Sequence, residues 1–138
     1  MKDSLNIIIA GATGYVGLEL VKILCKHPKI KIKYLCATKS IGKKINLFDK
    51  DISKKNLPKI SKINKVDWKL INILFTALPN GEAQKIVSNI PRNIKIIDLS
   101  ADFRLKNHNI YKKWYGLNHA CKSEIKNSIY SISEFVKK

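Results

Sequence analysis

The sequence predicts an α/β fold with a doubly wound, mainly parallel sheet, and two observations lead to this prediction. An apolar run at 6–10 breaks into glycines at positions 11, 14 and 17 and then into a helical pattern. Two further apolar runs of strand length, at 70–78 and 94–99, are separated by a second helical pattern. Strands that alternate with helices are typical of a parallel sheet. A length of 138 residues is enough for about one domain, which we assign to 1–138.

The glycine-rich segment after the first strand carries the main functional signal. It consists of Gly11, Ala12, Thr13, Gly14, Tyr15, Val16 and Gly17. Glycines at a strand-to-helix turn let the backbone bend sharply, let a pyrophosphate approach the bare main chain and let the helix pack closely. The spacing G-x-x-G-x-x-G departs from the usual G-x-G-x-x-G. The segment predicts a Rossmann-like dinucleotide site, and a glycine turn without a ligand is the alternative.

The first helix is predicted from one apolar stripe. Val16, Leu20, Ile23 and Leu24 fall on the same face of a helix, and Pro28 ends the pattern. We expect this face to pack on the sheet.

The second strand, at 30–37, ends in a segment that bears on cofactor choice. An NAD site usually has an acidic residue at this point, which binds the ribose 2′-hydroxyl. Here the sequence offers Thr38, Lys39 and Ser40 and no acid, which suits a 2′-phosphate. NADP is therefore favoured over NAD. The alternative is that Lys39 simply belongs to the general excess of lysine.

The middle of the chain gives one loop and three further elements. Residues 45–65 have no sustained period and predict a loop with one short strand. The run at 70–78 predicts a strand that is buried on both faces. The next helix has its apolar positions at Ala83, Ile86, Val87 and Ile90. Pro91 ends that helix, and 94–99 predicts another strand.

Ligands of such sheets bind beyond the carboxyl ends of the strands, and three loops lie there, at 11–17, 78–81 and 100–104. The third loop carries Ser100 and Arg104, a hydroxyl and a cation where a substrate would lie. A buried ion pair of Arg104 with Asp98 or Asp102 is the alternative.

The last third of the chain is less regular. The aromatic stretch 108–119 has weak helical periodicity and is interpreted as cover for the sheet edge, with His119 as a hydrogen-bonded residue and not a catalyst. Residues 128–134 predict a further strand or turn.

Composition limits the classes of function. The net charge is +17, but the charge is almost all lysine and is scattered, which favours a solvated surface over a specific nucleic-acid groove. Salt-sensitive binding to polyanions is still expected. No apolar run is long enough for a membrane span, and no signal peptide is evident, so a cytoplasmic location is expected. The three cysteines lack paired metal spacing, so no metal site is predicted.

Four segments together resemble N-acetyl-gamma-glutamyl-phosphate reductase, in order and in spacing. They lie at 11–17, 77–81, 97–105 and 111–116. The glycine segment is shared with aspartate-semialdehyde dehydrogenases and many sugar-nucleotide enzymes. The Leu-Ser-Ala-Asp-Phe-Arg-Leu segment at 99–105 and the Trp-Tyr-Gly segment at 114–116 are much more specific.

The resemblance implies a step of arginine biosynthesis in which an acyl phosphate is reduced to N-acetylglutamate semialdehyde with NADPH. In that family a cysteine thiolate displaces phosphate, the resulting thioester accepts hydride, and a histidine assists proton transfer. Full-length members are expected to be homo-oligomers. The implied substrate contacts are Ser100 and Arg104. The implied cofactor contacts are the loop 11–17, then Thr38, Lys39 and Ser40, and finally Leu78 and Pro79.

The chain departs from the family pattern at the nucleophile. In the family an Asn-Pro-Gly-Cys segment follows shortly after the region that matches 130–134, and this sequence reaches Lys138 without it. Cys121 is the nearest cysteine, but it stands where the family shows no catalytic residue. We therefore expect no catalytic residue here, a sheet that is incomplete relative to the family, and no reduction of substrate by this chain alone. A noncatalytic NADP-binding sensor or regulator is the alternative function.

Overall fold

A computed structural model describes residues 4–52 and 56–132. These residues divide into two compact units. The sheet unit lies within Met1–Leu78 and Ile90–Leu99, and the helical unit lies within Pro79–Asn89 and Ser100–Lys138. The assignment of 1–138 to one domain stays a prediction.

Among the described residues, the sheet unit contains five parallel strands, so the predicted α/β class with a parallel sheet is confirmed. They are β1 (Leu5–Ala10), β2 (Ile30–Cys36), β3 (Ile60–Ser61), β4 (Ile73–Thr76) and β5 (Lys95–Asp98). Their order across the sheet is β3-β2-β1-β4-β5. Ala10 pairs with Cys36 on one side and with Thr76 on the other. The carboxyl ends of the three central strands therefore meet at one edge of the sheet.

The core of the sheet unit is built on the central strand β1 and on helix α1 (Tyr15–Leu24). The helix buries Gly17, Val21 and Leu24. Val16 and Ile23 are 44% and 64% exposed, so the predicted stripe is wrong at these two positions. The reason is that the helix presents Gly17, which has no side chain, at its closest approach, and this rotates the buried face away from Val16 and Ile23.

The strand predicted at 70–78 is shorter than expected, whereas the strand predicted at 94–99 is confirmed as β5. β4 begins at Ile73, because Trp68–Leu70 forms a 3₁₀ turn in which the Asp67 carboxylate accepts a hydrogen bond from the N–H of Lys69. β5 lies at an edge of the sheet, and its Ile97 is 44% exposed. Of the loop with one short strand predicted at 45–65, the strand is confirmed as β3. The described residues there also form 3₁₀ turns at Ile45–Leu47 and Ile63–Lys65, and residues 53–55 lie outside the described residues.

The helical unit contains α2 (Glu82–Val87), α3 (His108–Tyr115) and α4 (Lys122–Ile125). Helix α3 was not predicted. Its ends are fixed by the Asn107 side chain, which accepts hydrogen bonds from two main-chain N–H groups, and by Gly116 in the left-handed region. Residues 128–132 form no strand, and 133 and 134 lie outside the described residues. Within the described ranges, no helix is both long enough and apolar enough to cross a membrane.

Candidate cofactor site

The glycine loop is fixed against both strands that flank β1. The N–H groups of Gly11 and Ala12 both donate to the carbonyl oxygen of Cys36, at 2.9 and 3.0 Å. Gly11 has a φ of +85°, and a Cβ there would lie 2.1 Å from the carbonyl oxygen of Ala77. The loop therefore starts in a conformation and a space that only glycine fits.

Gly17 closes the loop from the helix side. A Cβ at Gly17 would lie 2.1 Å from the carbonyl oxygen of Gly11 and 2.9 Å from Cα of Ala12. The first turn of α1 thus packs directly on the backbone of the loop, and this close packing is the structural reason for the third glycine of the segment.

Gly14 has a different environment from the other two glycines. It is exposed, its φ of −77° suits any residue, and a Cβ there would lie 3.4 Å from the oxygen of Gly11, an ordinary contact. In the described part of the chain, the N–H groups of Tyr15 and Val16, which follow it, donate to no protein acceptor. These donors lie at the N-terminus of α1, which carries a partial positive charge. A bare backbone beside free N–H groups fits the pyrophosphate of a dinucleotide.

The segment that follows β2 forms a compact turn beside β3. The N–H of Gly42 donates to the main-chain oxygen of Ile60 at 2.8 Å, and the N–H of Lys43 donates to the main-chain oxygen of Ser40 at 3.2 Å. Ser40 has a φ of 61°. The N–H groups of Thr38, Lys39 and Ser40 have no protein acceptor among the described residues. Successive free N–H groups, hydroxyls and a lysine can together hold an anion.

Leu78 and Pro79 differ in their placement. The Leu78 side chain packs against the loop, since its Cδ2 lies 3.2 Å from the position that a Gly11 Cβ would take. Pro79 is exposed and begins the helical unit. The structure thus brings Leu78 and the glycine loop together in the sheet unit.

Within the helical unit, Asp102 is the centre of a buried hydrogen-bond network. Its carboxylate is fully buried and accepts from the N–H of Gly81 at 2.7 Å, from the N–H of Gln84 at 3.1 Å and from the Tyr111 hydroxyl at 2.7 Å. Three donors satisfy a buried charge for which the described residues provide no cationic partner within ion-pair distance. The Asp102–Arg104 alternative of the sequence analysis is therefore wrong.

The neighbours of this carboxylate are themselves held in place. The Gln84 amide donates to the Tyr111 hydroxyl at 3.1 Å, and its oxygen accepts from the N–H of Ala120. His119 accepts at Nδ1 from the N–H of Cys121, so its Nε2 carries the proton and donates to the main-chain oxygen of Asp102. Burial, and next the Asp102 carboxylate, raise the pKa of Tyr111 far above its usual value, which keeps the hydroxyl protonated. His119 is thus a hydrogen-bonded residue of the interior, as predicted.

Ser100 and Arg104 lie on the turn that Asp102 occupies. The Ser100 hydroxyl oxygen accepts from the N–H of Asp102 at 3.1 Å. Arg104 is exposed, its guanidinium carbon lies 5.6 Å from the centre of the Tyr130 ring, and the described residues offer it no ion-pair partner. The carboxylate of Asp98 instead accepts from the Thr76 hydroxyl at 2.5 Å in the sheet unit. Among the described residues, no carboxylate therefore neutralises the guanidinium.

All three cysteines are free and buried. Burial raises the pKa of Cys36 and of Cys121 above that of an ordinary thiol. Neither position favours the thiolate form that a nucleophile needs.

The chain is similar to known proteins over nearly its whole length. The model of the family described as semialdehyde dehydrogenase, NAD binding domain, matches residues 6–135. Proteins named N-acetyl-gamma-glutamyl-phosphate reductase from Ehrlichia canis and Ehrlichia ruminantium (strain Gardel) are 42% and 43% identical to it over 97% of the chain. One from Paracoccus denitrificans is 41% identical over 96%. The chain spans 39% of the length of each.

Two solved structures share the fold. Aspartate semialdehyde dehydrogenase with NADP from Candida albicans is 20% identical with a TM-score of 0.54, over 77% of this chain and 32% of that one. Aspartate semialdehyde dehydrogenase II complexed with ASA from Vibrio cholerae is 19% identical with a TM-score of 0.56, over 74% and 32%.

Proposed function

Since the chain belongs to the semialdehyde dehydrogenase family, in its NAD-binding domain, we propose that it is the cofactor-binding part of an NADPH-dependent acyl-phosphate reductase. The proposed substrate is N-acetyl-gamma-glutamyl phosphate, which is reduced to the semialdehyde in arginine biosynthesis. The names of the relatives that match 96–97% of the chain support this substrate. Because the chain spans 39% of their length, we assign to it the binding of the cofactor and not the complete reaction.

The geometry of Gly14 is the observation that supports cofactor binding most directly. Among the described residues, no packing contact requires glycine at this exposed position, whereas a ligand that approaches the backbone closely favours it. We propose that the loop 11–17 holds the pyrophosphate through the N–H groups at the start of α1. Leu78 and Pro79 would flank the cofactor. When bound, NADPH supplies the hydride that reduces the acyl group.

The turn after β2 supports NADP over NAD. The N–H groups of Thr38, Lys39 and Ser40 are free among the described residues, two of these residues bear hydroxyls, and 37–44 contains no acid that would repel a phosphate. We propose that this turn binds the 2′-phosphate. A carboxylate here would favour the ribose hydroxyl of NAD instead.

Ser100 and Arg104 are proposed to bind the phosphate of the substrate. Arg104 is exposed and unpaired among the described residues, so its guanidinium can form two parallel hydrogen bonds with a phosphate. Both residues lie on one turn, four positions apart in sequence.

Substitution of Gly14 by aspartate tests the cofactor proposal. We expect the Kd for NADPH to rise by about tenfold or more, because a carboxylate beside the helix N-terminus competes with the pyrophosphate. Fluorescence titration of the 138-residue chain measures the Kd. Asn46→Asp adds the same charge at an exposed position and should leave the Kd unchanged. Wild-type affinity in Gly14→Asp, or no NADPH binding by the wild type, would refute the proposal.

The 2′-phosphate proposal makes a separate prediction. Lys39→Ala should raise the Kd for NADPH about fivefold, the equivalent of about 1 kcal/mol for an exposed charge contact, and should leave the Kd for NADH unchanged. Lys31→Ala removes an exposed lysine near the opposite end of β2 and serves as the control. Equal losses for NADPH and NADH, or equal losses in both variants, would show that Lys39 does not read the 2′-phosphate.

A noncatalytic NADP-binding sensor is the second candidate function, and the burial of all three cysteines favours it. A sensor would bind NADPH, and the whole polypeptide would reduce no acyl phosphate. An Asn-Pro-Gly-Cys segment encoded downstream of codon 138 would support the reductase, and a stop codon there would support the sensor.

We further propose a cytoplasmic location, which the three free cysteines support because a reducing compartment preserves thiols. The full-length protein is proposed to form a homo-oligomer. Specific nucleic-acid binding stays the least favoured function. It would show steep salt dependence and no competition by NADPH.

A further inference from the structure

We propose that Asp102 is a positioning residue that holds two turns of the helical unit, 79–81 and 100–104, in one fixed arrangement. The inference rests on the proposed function, because these turns carry the residues proposed to meet the cofactor and the substrate. They are Pro79, Ser100 and Arg104.

The carboxylate fixes the first turn by capping a helix that cannot cap itself. Gly81 is the N-cap of α2, has a φ of 88° and has no side chain that could accept a hydrogen bond. Oδ1 of Asp102 accepts from the N–H of Gly81, and Oδ2 accepts from the N–H of Gln84. The cap is thus supplied from 21 residues further along the chain, and it fixes the end of the 79–81 turn.

The main chain of Asp102 is fixed just as firmly in the second turn. Its N–H donates to the Ser100 hydroxyl, and its carbonyl oxygen accepts from His119 Nε2 at 2.7 Å. The N–H of Arg104 donates to the carbonyl oxygen of Ala101 at 3.3 Å. The residue that caps α2 therefore also sets the conformation of the turn that bears Ser100 and Arg104.

Burial leaves this connection between the two turns little freedom to move. The carboxylate is fully buried and depends on three hydrogen bonds, so neither turn can shift without leaving a buried donor or a buried charge unsatisfied. A surface ion pair would tolerate such movement. We therefore expect the geometry of the 100–104 turn to depend on Asp102 itself and not only on the stability of the fold.

Asp102→Asn tests the proposal in the 138-residue chain. The amide has one oxygen and one NH₂ group, so at least one of the donors at Gly81, Gln84 and Tyr111 loses its acceptor. By NMR, we expect amide hydrogen exchange at Gly81 or Gln84 to rise about tenfold or more, with exchange in β1 and β4 unchanged. In a titration with acetyl phosphate, followed by the amide shifts of 100–104, we expect the Kd to rise about tenfold.

Glu82→Gln is the matched control, because it makes the same chemical change at an exposed carboxylate on α2, the helix that Asp102 caps. It should change neither readout. If Asp102→Asn does not fold, Tyr111→Phe keeps the carboxylate and removes one of its three donors. We then expect amide hydrogen exchange at Gly81 and the Kd for acetyl phosphate to rise as well, but by less than in Asp102→Asn.

Three results would overturn the proposal. They are wild-type exchange at both Gly81 and Gln84, a rise that is equally large in β1 and β4, and a local rise that leaves the Kd for acetyl phosphate unchanged. If the wild type itself gives no saturable response to acetyl phosphate, the proposed substrate contacts fail. The exchange data then still decide whether Asp102 fixes the two turns.

Discussion

Replacement of Gly17 by alanine is expected to lower the free energy of unfolding by about 3 kcal/mol. The added Cβ would lie 2.1 Å from the carbonyl oxygen of Gly11 and 2.9 Å from both its carbon and the Cα of Ala12. All three contacts are with backbone atoms, which cannot turn aside as a flexible side chain would. The helix and the loop must separate, and the buried contacts of Val21 and Leu24 weaken with them. Urea denaturation followed by circular dichroism measures the loss.

Gly14→Ala is the control for this prediction, since the same methyl group there meets only one atom, at 3.4 Å. We expect its free energy of unfolding to stay within about 0.5 kcal/mol of the wild type. Equal stability losses in Gly14→Ala and Gly17→Ala would contradict the different roles that the structure gives to these glycines.

The difference between these glycines shows how far the sequence leads. The order strand, glycine loop, helix was sufficient to predict the parallel sheet and the position of the loop, because each element has its own periodicity. The sequence alone does not distinguish Gly17 from Gly14, although the fold requires glycine only at the first of these two positions. That distinction depends on the distance from each Cα to a neighbouring backbone. The exposed side chains of Val16 and Ile23 were mispredicted for the same reason.

The helical unit was harder to predict because its contacts are distant in sequence. Arg104 is the nearest cation in sequence to Asp102, so the sequence alone leaves an ion pair of Arg104 with Asp102 or Asp98 open as the alternative to substrate binding. The actual donors are 9 to 21 residues away, at Tyr111, Gln84 and Gly81. One local signal was present, since Gln84 occupies a helical position next to the apolar Ala83 and near Val87, where a polar side chain needs a buried partner.

Tyr111→Phe is expected to lower the free energy of unfolding by about 2 kcal/mol, the usual effect of losing a hydrogen bond to a buried charged group. The change leaves Asp102 with two donors and leaves the Gln84 amide without its acceptor. Thermal or urea denaturation at pH 7 measures the loss. Tyr115→Phe is the matched control. Its ring packs 4.8 Å from that of Tyr111, and its hydroxyl makes no hydrogen bond among the described residues, so little change is expected.

The same pair of proteins gives a pH dependence whose sign follows from the raised pKa of Tyr111, caused first by burial and then by the Asp102 carboxylate. In the unfolded chain, a tyrosine titrates near pH 10, at about the ordinary pKa. The folded protein holds the proton more tightly, so this contribution to stability is complete below that pH and is lost as the pH rises above it. Phenylalanine has no proton to lose. The stability advantage of the wild type over Tyr111→Phe should therefore be constant between pH 7 and 9 and should shrink above pH 10. An advantage that stays constant to pH 11 would show that the hydroxyl ionises equally in both states.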